Sequence, residues 1–276
     1  MTTRQHRTRQ LLGLLLCINL ACPIASFTIS PTYVDNANTG YHGPPYDTWA
    51  HAATNIQDAI DQCSGGGLVL VTNGTYNFGG RTYSLGGNVT NRVVITNSIT
   101  VQAVSTNPAN TLIVGSPDLS PGLIVGGCYS GAVRCVYIGT NCTLAGFTLT
   151  NGYTSSNSVT VASQYGGGAY CQTNSVISNC VITSCGAYQY GGGIYALTNS
   201  VIVNCVISFN TALASANSAA GGGVFCVNGT IIGCLIVSNA AGTNSTSFNS
   251  ACNGGGVYAN YSSSIIGNVP SVVKIV

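Results

Sequence analysis

From residue 68 onward the chain alternates short apolar runs with turns made of Asn, Gly and Ser, at 68–71, 92–95, 99–103, 111–114, 123–125, 133–138 and 143–149. The runs are too short and too rich in β-branched residues for helices, so they predict strands. One upstream stretch has a different period. Ile56, Ala59, Ile60 and Cys63 fall on a single helical face, Thr54 and Gln57 have capping-box spacing, and Gly65 to Gly67 end the pattern. A helix here is placed to shield the open edge of the first strand. Residues 27–53, rich in Tyr, Pro, Asn and Gly, read as an irregular entry segment.

The second half repeats. Gly-Gly-Gly runs starting at 166, 191, 221 and 254 are each followed by a small or aliphatic residue, an aromatic, and Cys or Ala. A unit that recurs while one loop changes length is the signature of a solenoid. Two or three short strands per coil predict an all-β fold, a right-handed parallel β-helix of roughly seven to eight coils with a short N-terminal capping helix.

Alternation within the repeat assigns the faces. Ala169, Ile194, Val224 and Val257 share one side with Cys171, Ala196, Cys226 and Ala259, which makes that side the interior. Tyr170, Tyr195, Phe225 and Tyr258 then form an aromatic ladder outside. Such a row either stabilises the solenoid by stacking alone or offers rings to sugars. Cys180, Cys205 and Cys234 hold one equivalent position, and Phe147 holds it one unit earlier. A site that accepts both Cys and Phe is a buried apolar site, which predicts a stacked thiol row. The spacing of neighbouring coils also permits bridging, so disulfides stay open as the alternative.

The segment Asn55 to Asp61, followed by Gly67 to Tyr76, resembles the opening of the pectin lyase-like superfamily of right-handed parallel β-helices. The Gly-Gly-Gly-x-aromatic units, paired with Asn-Cys-Val-Ile-Ser-Phe-Asn at 204–210, resemble the repeats of polymorphic outer-membrane proteins of the bacterial surface. The resemblance spans roughly residues 30–268 and implies fold and export. It does not imply one activity, because that superfamily includes lyases, hydrolases, adhesins and passenger domains. Autotransported members end in a membrane β-barrel, and no run of amphipathic strands here predicts one.

Residues 1–26 read as a signal peptide: Arg4, Arg7 and Arg9 precede an apolar stretch at 11–20, with small residues at Ala25 and Ser26. Lipid attachment at Cys22 is the alternative. Residues 27–67 are the entry segment with its capping helix, and 68–276 the β-helix. No polar cap follows Asn268, so the frame is expected to be cut short there or covered by a partner. Beyond the signal peptide no segment is long enough for a transmembrane span. The location expected is secreted or at a bacterial cell surface.

Charge narrows the functional classes. Only 4% of residues are charged, while 45% are hydrophobic, so the chain is ordered and its solubility rests on Asn, Ser and Thr. No basic patch exists for nucleic acid. No Cys-x-x-Cys occurs and no His follows His51, so no metal site is expected; the triple glycines lack a following Lys-Ser or Lys-Thr, so no phosphate loop or cofactor is expected either.

Glycoside hydrolysis usually takes two carboxylates, and calcium-assisted lyases take clustered acidic ligands. The sequence has no Glu, and no Asp after Asp118. Asp58 and Asp61 read as solvated helix charges, and Asp35 and Asp47 as structural. Asp118 with Arg134 would set one acid and one cation on a coil face, but no second carboxylate is within clear reach, so no catalytic residue is assigned. The resulting expectation is a non-enzymatic surface or adhesion module with an extracellular glycan or cell-surface partner, contacting it through Tyr170, Tyr195, Phe225 and Tyr258. The alternative is a polysaccharide lyase or glycoside hydrolase with its site in the first coils.

Overall fold

The computed structural model describes residues 30–120, 126–156, 161–213, 219–242 and 254–267. Residues 1–26, read above as a signal peptide, the run at 123–125 and the segment 268–276 lie outside the described residues. The chain winds as a right-handed parallel β-helix, the hand that crossovers between parallel strands almost always take. One coil runs through Ala169–Cys171, Val176–Ser178, Val181–Thr183 and Gly186–Ala187 before returning at Ile194–Ala196. Each of these strands pairs in parallel with its equivalent one coil away. Stacking the coils builds sheets of eight, six, seven and three strands. The eight-stranded sheet is called the first below, the six-stranded the second and the seven-stranded the third.

The core is a set of vertical rows. Leu144, Ile177, Ile202 and Ile231 follow one another in register in the first sheet, and Ile113, Leu149, Ile182, Ile207 and Ile236 in the second. All nine are buried. Phe147, Cys180, Cys205 and Cys234 form a further buried row, as the repeat predicts. The Phe147 N–H donates to Cys180 Sγ at 3.4 Å and the Cys205 N–H to Cys234 Sγ at 3.4 Å. The ten described cysteines are all free and buried. Burial pushes the Cys128 and Cys171 thiols up to about 12, so they behave as small hydrophobes and not as nucleophiles.

The glycine runs have two distinct reasons. Gly166, Gly191, Gly221 and Gly254 take φ of +67°, +64°, +62° and +60°, a left-handed bend that glycine makes without strain. The middle glycine answers to its neighbours instead: a Cβ on Gly192 would lie 2.5 Å from the Thr211 carbonyl carbon. Asparagine does the bending elsewhere. Asn141, Asn174 and Asn199 all have φ near +58°, and Asn174 Nδ2 donates to Asn141 Oδ1 at 3.1 Å.

The entry segment is less irregular than its composition suggests. Thr32–Val34 is a strand that pairs with Val69 to Val71, so the first sheet begins before residue 68. The run at 143–149 is two strands, Thr143–Ala145 and Thr148–Thr150, because Gly146 bends the chain at φ +85°. Helix α1 (Ile56–Gln62) buries Ile56, Ala59 and Ile60, as its period predicts. Its cap differs from the capping box: Asn55, not Thr54, accepts the Gln57 N–H, at 2.9 Å. Gln57 is thereby released for another task. Its Oε1 accepts the Val94 N–H at 2.8 Å and its Nε2 donates to the Val94 carbonyl at 3.1 Å. One side-chain amide thus replaces a neighbouring strand at the edge of Thr90–Ile95.

The cap is tied down by Asp61, whose carboxylate takes both Arg81 Nη1 at 2.8 Å and Arg81 Nη2 at 2.5 Å. Burial by itself would raise the Asp61 pKa, but hydrogen bonds from Arg81 and Gln57 and the Arg81 charge more than reverse this, and the carboxyl is held low.

Two outcomes follow from this packing. Gly192→Ala should destabilise the fold by about 3 kcal/mol or more, because both neighbours of the new methyl are backbone; an unchanged thermal midpoint would contradict the close approach. A folded-state pKa below that of an unfolded aspartate adds stability above the unfolded value and withdraws it as pH falls through the folded one. Amide protection in α1, taken relative to the intrinsic exchange rate at each pH, should therefore fall below about pH 4, and Asp61→Asn should remove that acid limb.

Candidate functional site

The outer face of the third sheet carries the ladder, and it is longer than the repeat suggests. Parallel pairing sets Tyr137, Tyr170, Tyr195, Phe225 and Tyr258 in one register row. Successive centroids lie 5.8, 5.2, 5.3 and 4.8 Å apart, with interplanar angles of 13°, 29°, 17° and 19°. A second tier covers the first. Tyr165 stacks on Tyr195 at 4.8 Å and Tyr190 on Phe225 at 4.7 Å, while Tyr165 and Tyr190 meet at 4.9 Å.

The four ladder residues expected from sequence do come together, but they do not form an open surface. Tyr170 and Phe225 keep only 6% and 7% exposure, and Tyr195 and Tyr258 are half-buried. Parallel stacking also uses up ring faces, so a ligand alongside the row meets edges. Tyr83 is different. It leans on Tyr137 at 4.8 Å with a 50° tilt, and it lines a groove of about 220 Å³ with Leu85, Asn97, Ser98, Tyr137 and Thr140. A larger groove of about 340 Å³ lies at the corner of the first and second sheets, among Gln102, Ser105, Thr106, Ser178 and Asn179, with no ring in its lining.

Beneath the ladder lies Arg134, with no exposed surface. Its Nε donates to the Gly166 carbonyl at 2.9 Å, Nη1 to Asn91 Oδ1 at 2.8 Å, and Nη2 to the Ala162 and Tyr165 carbonyls at 2.8 Å each. Its guanidinium carbon sits 5.2 Å from the Tyr170 ring centre. Burial lowers its pKa to about 10, so it stays charged at neutral pH. Arg134 therefore fastens the turn that presents Tyr165.

The acid and cation pair considered from sequence does not form. Asp118 accepts Ser120 Oγ at 2.6 Å and the Ser120 and Gly131 N–H groups at 3.0 and 2.8 Å, closing its own exposed loop. Those bonds, Ser120 Oγ foremost, hold its pKa low. The other acids are local too. Asp35 accepts Ala37 N–H and Thr72 Oγ1, Asp47 meets His51 Nδ1 at 3.3 Å, Asp61 holds Arg81, and Asp58 stands exposed on α1. Among the described residues no group of three or more His, Cys, Asp or Glu could hold a metal ion, and no helix is long and apolar enough to cross a membrane.

Sequence reasoning overlooked Tyr83, Tyr137, Tyr165 and Tyr190. Tyr165 and Tyr190 were findable, since each directly precedes a glycine run. Tyr137 follows no such run, and Tyr83 joins the stack through the third dimension alone.

No family model matches the sequence, and no curated protein matches it. Among solved structures the chain is similar to the pectin methylesterase PemA from Erwinia chrysanthemi, at 12% identity over 73% of this chain and 65% of that one, with a TM-score of 0.40. It is also similar to a rhamnogalacturonan lyase, at 16% identity over 88% and 65% with a TM-score of 0.41, and to a carrot pectin methylesterase, at 11% over 87% and 83% with a TM-score of 0.35. The chain thus spans slightly under two thirds of the first two.

Arg134→Lys keeps the charge and loses the fork that reaches four acceptors. It should cost about 2 kcal/mol or more by stranding buried carbonyls, with faster amide exchange at 161–170. Unchanged exchange there would show that the turn does not depend on Arg134.

Proposed function

We propose that the chain is an exported, non-enzymatic β-helix module that works at a cell surface by contacting glycan through the aromatic face of its third sheet. The observation that carries this reading is where the acids and the rings lie. Four of the five carboxylates bind a loop, a neighbouring His or the cap, and Asp58 stands exposed on the helix. Bond cleavage by paired carboxyls needs two of them flanking one sugar linkage. The rings, by contrast, are gathered on one face with amide and hydroxyl neighbours, the chemistry that holds a sugar without cutting it.

The likeness of the repeats to polymorphic outer-membrane-protein units supports a bacterial surface setting, as do the features of a signal peptide in residues 1–26. The glycan is then a resident of that surface or of a neighbouring cell.

The test is a panel of neutral and acidic polysaccharides, with retardation in affinity electrophoresis and release of new chain ends measured on the same protein. Retardation without released ends is the expected result. Release that vanishes in Asp118→Ala would replace this proposal with a lyase or hydrolase.

A further inference from the structure

A sugar stacks on a ring face, and the ladder has few faces to give. From Tyr137 to Tyr258 each ring lies at 29° or less to the next, which leaves mainly edges outward. Tyr83 breaks the series. Its 50° tilt against Tyr137 places a half-buried ring beside the groove.

The polar groups around that ring are unusual in being unspent. Asn97, Ser98 and Thr140 are exposed, and among the described residues no protein group hydrogen-bonds their side chains. Asn97 and Ser98 have φ of +64° and +55°, a tight turn at the groove wall. One amide and two hydroxyls beside an aromatic ring match the alternating C–H faces and hydroxyl rim of a pyranose.

Charge then selects the sugar. Arg81, two residues from Tyr83, is held bidentate by Asp61. Arg92 donates to the Val114 and Gly79 carbonyls, and Arg134 is buried beneath the ladder. Each described arginine is thus already engaged, and both described histidines, His42 and His51, belong to the entry segment. A carboxylated sugar entering this groove would lose hydration and gain no cation. We propose that the Tyr83 groove is a subsite for an uncharged pyranose unit of a glycan, with Tyr83 as the stacking platform and Asn97, Ser98 and Thr140 as hydroxyl partners. The assignment rests on the glycan-contact reading above and narrows it to neutral sugars.

Isothermal titration with neutral hexasaccharides (cello-, xylo-, galacto- and manno-) and with oligogalacturonate hexamer tests it on the whole mature chain. At least one neutral hexamer should bind. Tyr83→Ala should weaken it about tenfold or more, Tyr83→Phe should bind as the parent does, and Thr140→Ala, an exposed change that leaves folding intact, should weaken it measurably. Equal thermal midpoints for the Phe and Thr140 variants and the parent certify the fold. Binding of oligogalacturonate alone would overturn the neutral-sugar assignment and leave the module reading standing. Neutral binding indifferent to both Tyr83→Ala and Thr140→Ala would overturn the groove as the subsite. Failure of every hexamer and every polysaccharide to bind would overturn both.

Discussion

Register between coils is the constraint from which the other features of this molecule follow. Apart from the short antiparallel strand Arg81–Thr82, the described strands bond in parallel to their equivalents in neighbouring coils, so a residue in one coil lies directly over its counterpart in the next. Each interior row must then repeat nearly the same volume. Isoleucine repeats along the first two sheets, and thiols repeat down the row that starts at Phe147. The middle glycines repeat for the same reason, because neighbouring carbonyls occupy the space a methyl would need.

Register governs the polar groups equally. Where a coil turns away from regular pairing, a side chain stands in for the missing strand and bonds with the same vertical step. Asn210 Nδ2 donates to Ile182 O and to Asn239 Oδ1, and Asn239 Nδ2 donates to Ile207 O one coil on. Gln57 does this at the start of the third sheet, and Arg134 does it for the Gly166, Ala162 and Tyr165 carbonyls beneath the ladder. Gln57, Arg134 and Asn210 are buried and Asn239 half-buried, and each is hydrogen-bonded, which keeps interior backbone from becoming a cost.

Periodic features were legible in the sequence, and features made by a single close approach were not. The glycine runs, the aliphatic rows and the thiol row announce themselves by recurrence, so fold class, interior face and the α1 core followed from pattern alone. The entry strand Thr32–Val34 did not, because three residues amid Pro, Asn and Gly carry no period and are fixed by tertiary partners: Val69 to Val71 in the sheet, and Tyr46, Ala53 and Ala59 beside it. The candidate site divides the same way. Tyr170, Tyr195, Phe225 and Tyr258 were readable as a row, yet their burial was not, because the covering rings of Tyr165 and Tyr190 come from the preceding turn. Arg134 read as a cation to set beside Asp118, since nothing local shows that the turn carrying Tyr165 closes over it.

The single amide by which Gln57 closes the edge at Val94 has an evolutionary corollary. Because it grips the backbone of one residue in the first strand of the third sheet's stack, copying a whole coil farther along leaves that closure untouched. Tandem duplication can lengthen such a protein in steps of one coil, and its length becomes a trait that selection adjusts without redesigning how the chain begins.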